Sequence, residues 1–291
     1  MLPHFVDCRA SVALTALSIG LFTSLGADAA QAGLSRVGDG VALTAHRAVY
    51  DLSLDEDEGS GISALSGRIV FESVGNACDG YSETLRFVTR SHDSSGKSVI
   101  TDLQSSTFEF NDAFDFVQRT LVNGQEMEDI RGRAERSGAV SRVDLERPSE
   151  KSIEIEIPVL FPNEHMRTVI AAARKGEHFV QVDVFDGSEN GETVSPVTTV
   201  IGEAHADATD PGEDDSAAVG MIKAATAWPV VFSYFDANSR MEETGPAYQM
   251  SGLLYDNGIM RKLHFDYGSY SINGRLAEIE FFDEDDCRAA E

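Results

Sequence analysis

Apolar and polar side chains alternate with a period of two over most of the chain. His46, Ala48, Tyr50, Leu52 and Leu54 share one face of such a run, and Arg47, Asp51 and Ser53 share the other. Successive strand residues point to opposite sides of a sheet, so this pattern predicts a strand with one buried face. The same alternation returns in residues 67–72, 82–87 and 153–157. Asn123-Gly124, Asp186-Gly187, Asn257-Gly258 and Asn273-Gly274 mark hairpin turns, because Asn and Gly enter the positive-φ region at low cost. Their spacing predicts about a dozen strands or slightly more, arranged as a meander.

Residues 161–176 break the period. Met166, Val169, Ile170 and Ala173 fall at i, i+3, i+4 and i+7, Pro162 stands near the start, Arg174 and Lys175 occupy the last turn, and Gly176 follows. These are start and stop signals of a helix over about residues 162–175. Within a long meander, one amphipathic helix is most economically laid against the concave face of the sheet. His165 falls in its first turn, where a neutral ring can cap free backbone groups. Residues 204–216, with Asp207, Asp210, Glu213, Asp214 and Asp215 around Pro211-Gly212, are expected to form an exposed, mobile acidic loop. Trp228-Pro229 and the apolar run 230–235 read as core, with ligand contact as the alternative.

At the N-terminus, Arg9 precedes an apolar stretch over residues 11–25 that ends in small residues. This is the layout of a secretory signal peptide, cleaved after Ala29 or, preferably, Ala32. The stretch is shorter than the roughly 20 residues that span a bilayer, and Cys8 lies ahead of it, where no lipid-anchoring cysteine belongs. The expected product is an exported, periplasmic protein that is not integral to a membrane, with a single domain over residues 33–291. It retains two cysteines, Cys78 and Cys287. An even pair in an oxidising compartment predicts one disulfide, worth on the order of 5 kcal/mol in the chain-entropy model for so long a loop.

A net charge of −26, hardly altered by loss of the leader, repels phosphate backbones and anionic lipid surfaces. Nucleic-acid binding is therefore not expected. Motifs of catalysis or metal binding are incomplete. Ser94-Ser95-Gly96-Lys97 sits in a polar turn instead of at a helix start. Gly96-Lys97-Ser98 has Ser91 where a phosphate loop needs its first glycine. Asp55, Asp57 and Gly59 open like a calcium loop, but Ser60 and Ser66 occupy the positions of its turn glycine and bidentate acid. His46, His165, His178 and His264 lack ligand spacing. No catalytic residue, metal or cofactor is predicted.

Several segments together carry a resemblance: residues 43–50, which include His46 and Arg47; the helix entry 158–165, with Phe161, Pro162 and His165; Phe185-Asp186-Gly187-Ser188; 228–235, beginning with Trp228; and 254–258. In this order, over nearly the whole exported chain, they resemble the EipB family of cell-envelope integrity proteins. The resemblance implies a periplasmic protein with a spiral-like, open β-barrel of about fourteen strands and one main helix. It also implies a disulfide between an early and a late cysteine, matching Cys78 and Cys287, and a tetratricopeptide-repeat protein as partner. It transfers no catalytic residue. The acidic stretch 204–216 is expected to depart from the family in length.

Three functions follow as expectations. The foremost is a non-enzymatic envelope protein acting through protein–protein contacts. The second is a carrier that holds a lipid, a lipoprotein acyl chain or an apolar peptide in its concave sheet, which requires an apolar lining not filled by the helix. The third, an enzyme, requires convergent polar groups with shifted pKa values in a cleft. An outer-membrane barrel is excluded by charge at outward positions such as Asp51, Arg68, Glu72 and Glu154.

Overall fold

The computed structural model describes residues 38, 40–206, 208–222, 226–236 and 245–283; the proposed signal peptide and Cys287 lie outside them. The described strands are β1 (His46–Asp57), β2 (Ile62–Asn76), β3 (Gly80–Asp93), β4 (Ser98–Phe110), β5 (Ala113–Val122), β6 (Gln125–Ser137), β7 (Val140–Arg147), β8 (Lys151–Ile155), β9 (Phe179–Val184), β10 (Ser195–Ile201), β11 (His205–Ala206), β12 (Thr226–Tyr234), β13 (Tyr248–Tyr255), β14 (Met260–Asp266) and β15 (Tyr270–Phe281). They build one sheet in the order β8-β7-β6-β5-β4-β3-β2-β1-β15-β14-β13-β12-β10-β9, with β11 paired to β12 off this path. The chain thus meanders from β1 to β8 and again from β12 to β15, and the antiparallel β1–β15 pair joins the two runs.

The sheet is an open barrel, as the resemblance implies, built from the meander that the alternation predicts. Its edges, β8 and β9, do not pair with each other. The chain leaving β8 touches β9 through one parallel bridge: Leu160 donates its N–H to Asp183 O at 2.9 Å and accepts the Phe185 N–H at 3.0 Å. The curvature brings the ring of Phe87 on β3 to 6.0 Å from that of Phe265 on β14, although β2, β1 and β15 lie between their strands.

Helix α1 (Pro162–Arg174) runs where its signals place it. Pro162 stands in its first turn, and Gly176, at φ 75°, ends it. The N–H groups of Gly176 and Glu177 return to Ala173 O and Ala172 O at 3.0 Å, which is a Schellman close. Val169, Ile170 and Ala173 are buried with Ala48, Tyr50, Ile69, Val180 and Phe232, so the helix packs on the inner face of the sheet. Met166 is only half-buried and borders open space. A second cluster gathers Phe114, Phe116, Ile130, Val143, Phe161 and Phe185 under the β5–β8 arm. Helix α2 (Ser216–Met221) is one short turn whose N-terminus is capped by Asp215.

Three local expectations are corrected. Asn273-Gly274 is no turn but lies inside β15. A Cβ on Gly274 would come within 3.1 Å of Leu263 Cβ, so this glycine serves close packing between strands. Asp186-Gly187 forms an Asx-turn, with Ser188 N–H on Asp186 Oδ1 at 2.9 Å, within a longer β9–β10 connection that includes the 3₁₀ turn Glu189–Gly191. The acidic stretch is anchored. The fully buried Arg261 donates to Ala208 O and Asp210 O at 2.8 Å and to Asp214 Oδ2 at 3.0 Å, and Asp214 Oδ1 accepts the Leu276 N–H at 2.8 Å. A buried guanidinium needs every one of its donors satisfied, and this loop supplies the carbonyls and the counter-charge.

Candidate functional site

Period-two alternation on neighbouring strands lines an apolar cavity of about 480 Å³ on the inner face. Ile69 and Phe71 on β2 stand directly opposite Phe87 and Leu85 on β3. Met250 on β13 stands opposite Phe265 on β14. Met166 of α1 forms one wall. The helix therefore covers the inner face only in part and leaves an apolar lining beside it. Tyr234, Tyr248, Tyr267 and Tyr270 form a ring stack with successive centroids 4.4, 6.0 and 5.0 Å apart. Tyr248 and Tyr267 border the cavity. Burial pushes the Tyr234 and Tyr267 hydroxyls up to about 12.

A smaller space of about 210 Å³ adjoins the first, sharing His46, Phe71, Met166, Met250 and Gly258 as walls. It is polar at its far end, where the N-terminus of α1 arrives. Glu109 of β4 accepts the Asn163 and Glu164 N–H groups at 2.8 and 2.9 Å. Burial pushes its carboxyl up to about 7 despite these bonds. Burial, reinforced by Glu109, pushes Glu83 to about 8, leaving it protonated at neutral pH. His165 is lowered to about 4 by burial alone and is a neutral imidazole. Its ring meets Phe232 edge-on at 5.7 Å. Among the described residues its buried Nε2 has no hydrogen-bond partner; the buried Asn163 amide makes no well-formed bond through Nδ2 but faces the Glu83 and Glu109 carboxyls and draws both downward.

The residues singled out in the sequence are distributed by this geometry. His46, Pro162 and His165 meet at the polar space. The His46 ring is buried, joined through Nδ1 to Thr44 O at 2.7 Å and set 5.6 Å from Phe71, and burial lowers its pKa. Arg47 points to the opposite face, in register with Glu72 and Glu280. Phe161 lies in the second cluster, its ring 5.2 Å from Phe114 and 5.1 Å below the Arg136 guanidinium. Trp228 is buried in the main core. The cap of α1 is Glu109 and not His165, whose ring is drawn inward against Phe232. Cys78 lies in the β2–β3 turn, where its N–H donates to Asn76 Oδ1 at 2.7 Å. Asp55 and Asp57 do not converge: Asp55 accepts from Asn273 at 2.9 Å, while Asp57 closes its own turn through Ser60. Among the described residues, no group of three or more His, Cys, Asp or Glu side chains is placed to hold a metal.

Sequence reasoning missed Glu83, Glu109 and Asn163. Glu83 and Glu109 stand at alternating positions of ordinary strands, and only the fold sets them beside the helix start. No linear motif marks them.

These features define a class: an open antiparallel barrel whose inner face carries a helix and a partly lined cavity, with no helix among the described residues long and apolar enough to cross a membrane. The family model for EipB-like proteins matches residues 38–283, and the chain belongs to that family. It is 37% identical over 255 residues to the cell envelope integrity protein EipB of Brucella abortus strain 2308, covering 87% of this chain and 89% of that protein. A solved β-barrel-like protein of a domain of unknown function, also from Brucella abortus, matches with a TM-score of 0.76 and 36% identity, covering 83% of this chain and 99% of the other. That relative is named for cell envelope integrity.

Proposed function

We propose that this protein maintains the cell envelope from the periplasm without catalysis, by binding a protein partner. A tetratricopeptide-repeat protein is the proposed class of partner, and a Cys78–Cys287 disulfide is the proposed stabiliser. The observation that carries the reading is an apolar row on the outer face beside an open edge. Phe179 of β9 stands opposite Val200 of β10, which stands opposite Val231 of β12. Phe179 is 56% and Val200 51% exposed. An unpaired strand edge offers backbone hydrogen bonds, and adjacent apolar side chains supply the burial that makes such docking selective. A photo-cross-linking side chain at Phe179, activated in cells, is expected to trap a specific envelope protein, and Val200→Asp is expected to abolish the adduct. Full envelope resistance in a folded Val200→Asp variant would overturn this reading.

The polar cluster around α1 does not favour an enzyme. Its shifted groups are explained by burial and by helix capping, and among the described residues no hydroxyl or thiol is hydrogen-bonded to His165, whose Nε2 has no partner there. The cavity favours a second reading, in which the inner face carries an apolar ligand. Its observation is the apolar wall of Ile69, Phe71, Leu85, Phe87 and Phe265 that α1 leaves uncovered.

A further inference from the structure

We propose that the joined cavities hold one single-chain amphiphile with an uncharged acyl-ester head, its chain along the Phe71–Phe87–Phe265 wall and its carbonyl oxygen turned to His165 and Asn163. This rests on the second reading above and adds the ligand's chemistry and its direction in the site.

Size and lining define the tail. A volume of about 480 Å³ sits toward the lower end of the roughly 300–1,000 Å³ common for small-molecule sites. It is of the order of one long alkyl chain and too small for the paired chains of a membrane phospholipid. Met166 and Met250 stand where the two spaces join. Their flexible thioether side chains adapt to an apolar chain of variable length.

Two buried polar atoms define the head. His165 is 4% and Asn163 2% exposed, yet among the described residues Nε2 of the one has no partner, and Nδ2 of the other makes no well-formed bond although it faces the Glu83 and Glu109 carboxyls. A buried polar atom left unpaired costs about 1–3 kcal/mol, and a ligand that pairs it recovers that cost. Asn163 Nδ2 can only donate, so an acceptor oxygen of the ligand would complete the bonding that the two carboxyls leave incomplete. A quaternary ammonium has none. The described residues lining both spaces include no Lys or Arg, while Glu83 and Asp186 lie at the polar end. A phosphate or carboxylate head would therefore meet no counter-charge there. A neutral ester or hydroxyl oxygen is the group that satisfies the site.

The test is calorimetric titration of the purified, delipidated protein with three probes that share a chain: 1-monopalmitoylglycerol, palmitate and palmityltrimethylammonium. The expected result is one-to-one binding of monopalmitoylglycerol with an affinity at least about tenfold above the two charged probes. Asn163→Leu should weaken the ester about tenfold, the loss of about one hydrogen bond, and leave the charged probes unchanged. Leu85→Trp, which fills the cavity from β3, should abolish all binding while the melting temperature holds. Equal binding of all three probes, or indifference to Asn163→Leu, overturns the head-group assignment and leaves the carrier reading standing. Absence of any binding by the folded protein overturns both.

Discussion

Glu109 Oε2 accepts the backbone N–H of Asn163 at 2.8 Å, so a carboxylate on β4 caps a helix that begins more than fifty residues later in the chain. The N-cap residue itself, Phe161, has no side chain able to cap. Helix starts leave free N–H groups and carry a partial positive charge, and Glu109 answers both needs. This contact places the start of α1 against the inner face, and with it His165 and Asn163.

Removal of that cap is the first test. Glu109→Ala leaves the Asn163 and Glu164 N–H groups buried without an acceptor, and it is expected to cost about 1–3 kcal/mol in chemical denaturation. Glu109→Gln, which keeps one acceptor, should cost less. Equal stability of Glu109→Ala and the parent would show that water replaces the cap.

The pH dependence has two opposing limbs. Glu83 and Glu109 are raised in the folded state to about 8 and about 7 from 4.5. Their contribution to stability is complete below pH 4.5 and is lost as pH rises through 7 and 8. His165, lowered to about 4 from 6.5, contributes above pH 6.5 and loses that contribution as pH falls through 4. Above pH 6.5 only the carboxyl limb operates, so the melting temperature should fall between pH 6.5 and 8. Glu83→Gln should flatten that fall, and His165→Phe should flatten the acid limb. An unchanged slope in Glu83→Gln would show that Glu83 is ionised in the folded protein.

Arg261 and Asp214 hold the acidic loop to the barrel, with side chains 1% and 2% exposed. Breaking a buried ion pair from one side leaves the other charge uncompensated, typically at about 3–5 kcal/mol. Asp214→Ala should destabilise by an amount in this range and open residues 208–214 to limited proteolysis. Protection equal to the parent would mean that the backbone carbonyls alone hold Arg261.

The proposed disulfide is tested by Cys78→Ser and Cys287→Ser. Each is expected to lower the melting temperature under non-reducing conditions, by up to about 5 kcal/mol of stability at the melting point in the chain-entropy model, and to reduce envelope resistance in parallel. Melting and complementation equal to the parent would remove the disulfide from the working fold.

What was legible in the sequence is local. Alternation places β1, β2 and β3, and the helix signals of Pro162, Arg174 and Gly176 bound α1, because both depend on neighbours a few residues apart. Asn123-Gly124, with both residues at positive φ, and Asn257-Gly258 are the turns their composition predicts. Asn273-Gly274 has the same composition but a different fate. Its environment is set by Leu52 and Leu263 on the flanking strands β1 and β14, which no local reading contains. The acidic loop was legible only in part for the same reason: Asp210 and Glu213 are exposed as expected, but Arg261 takes Asp214 out of water.

The sequence by itself thus determined an all-β meander with one inner helix, an acidic surface and the family to which they belong, since period, turn chemistry and charge act at short range. The tertiary structure alone decided which face of that meander stays open. Phe87 and Phe265 meet across the barrel, Glu109 caps a distant helix, and His165 and Asn163 are buried only because curvature brings together strands far apart in the chain. Burial and desolvation depend on that enclosure, and so does the site they create.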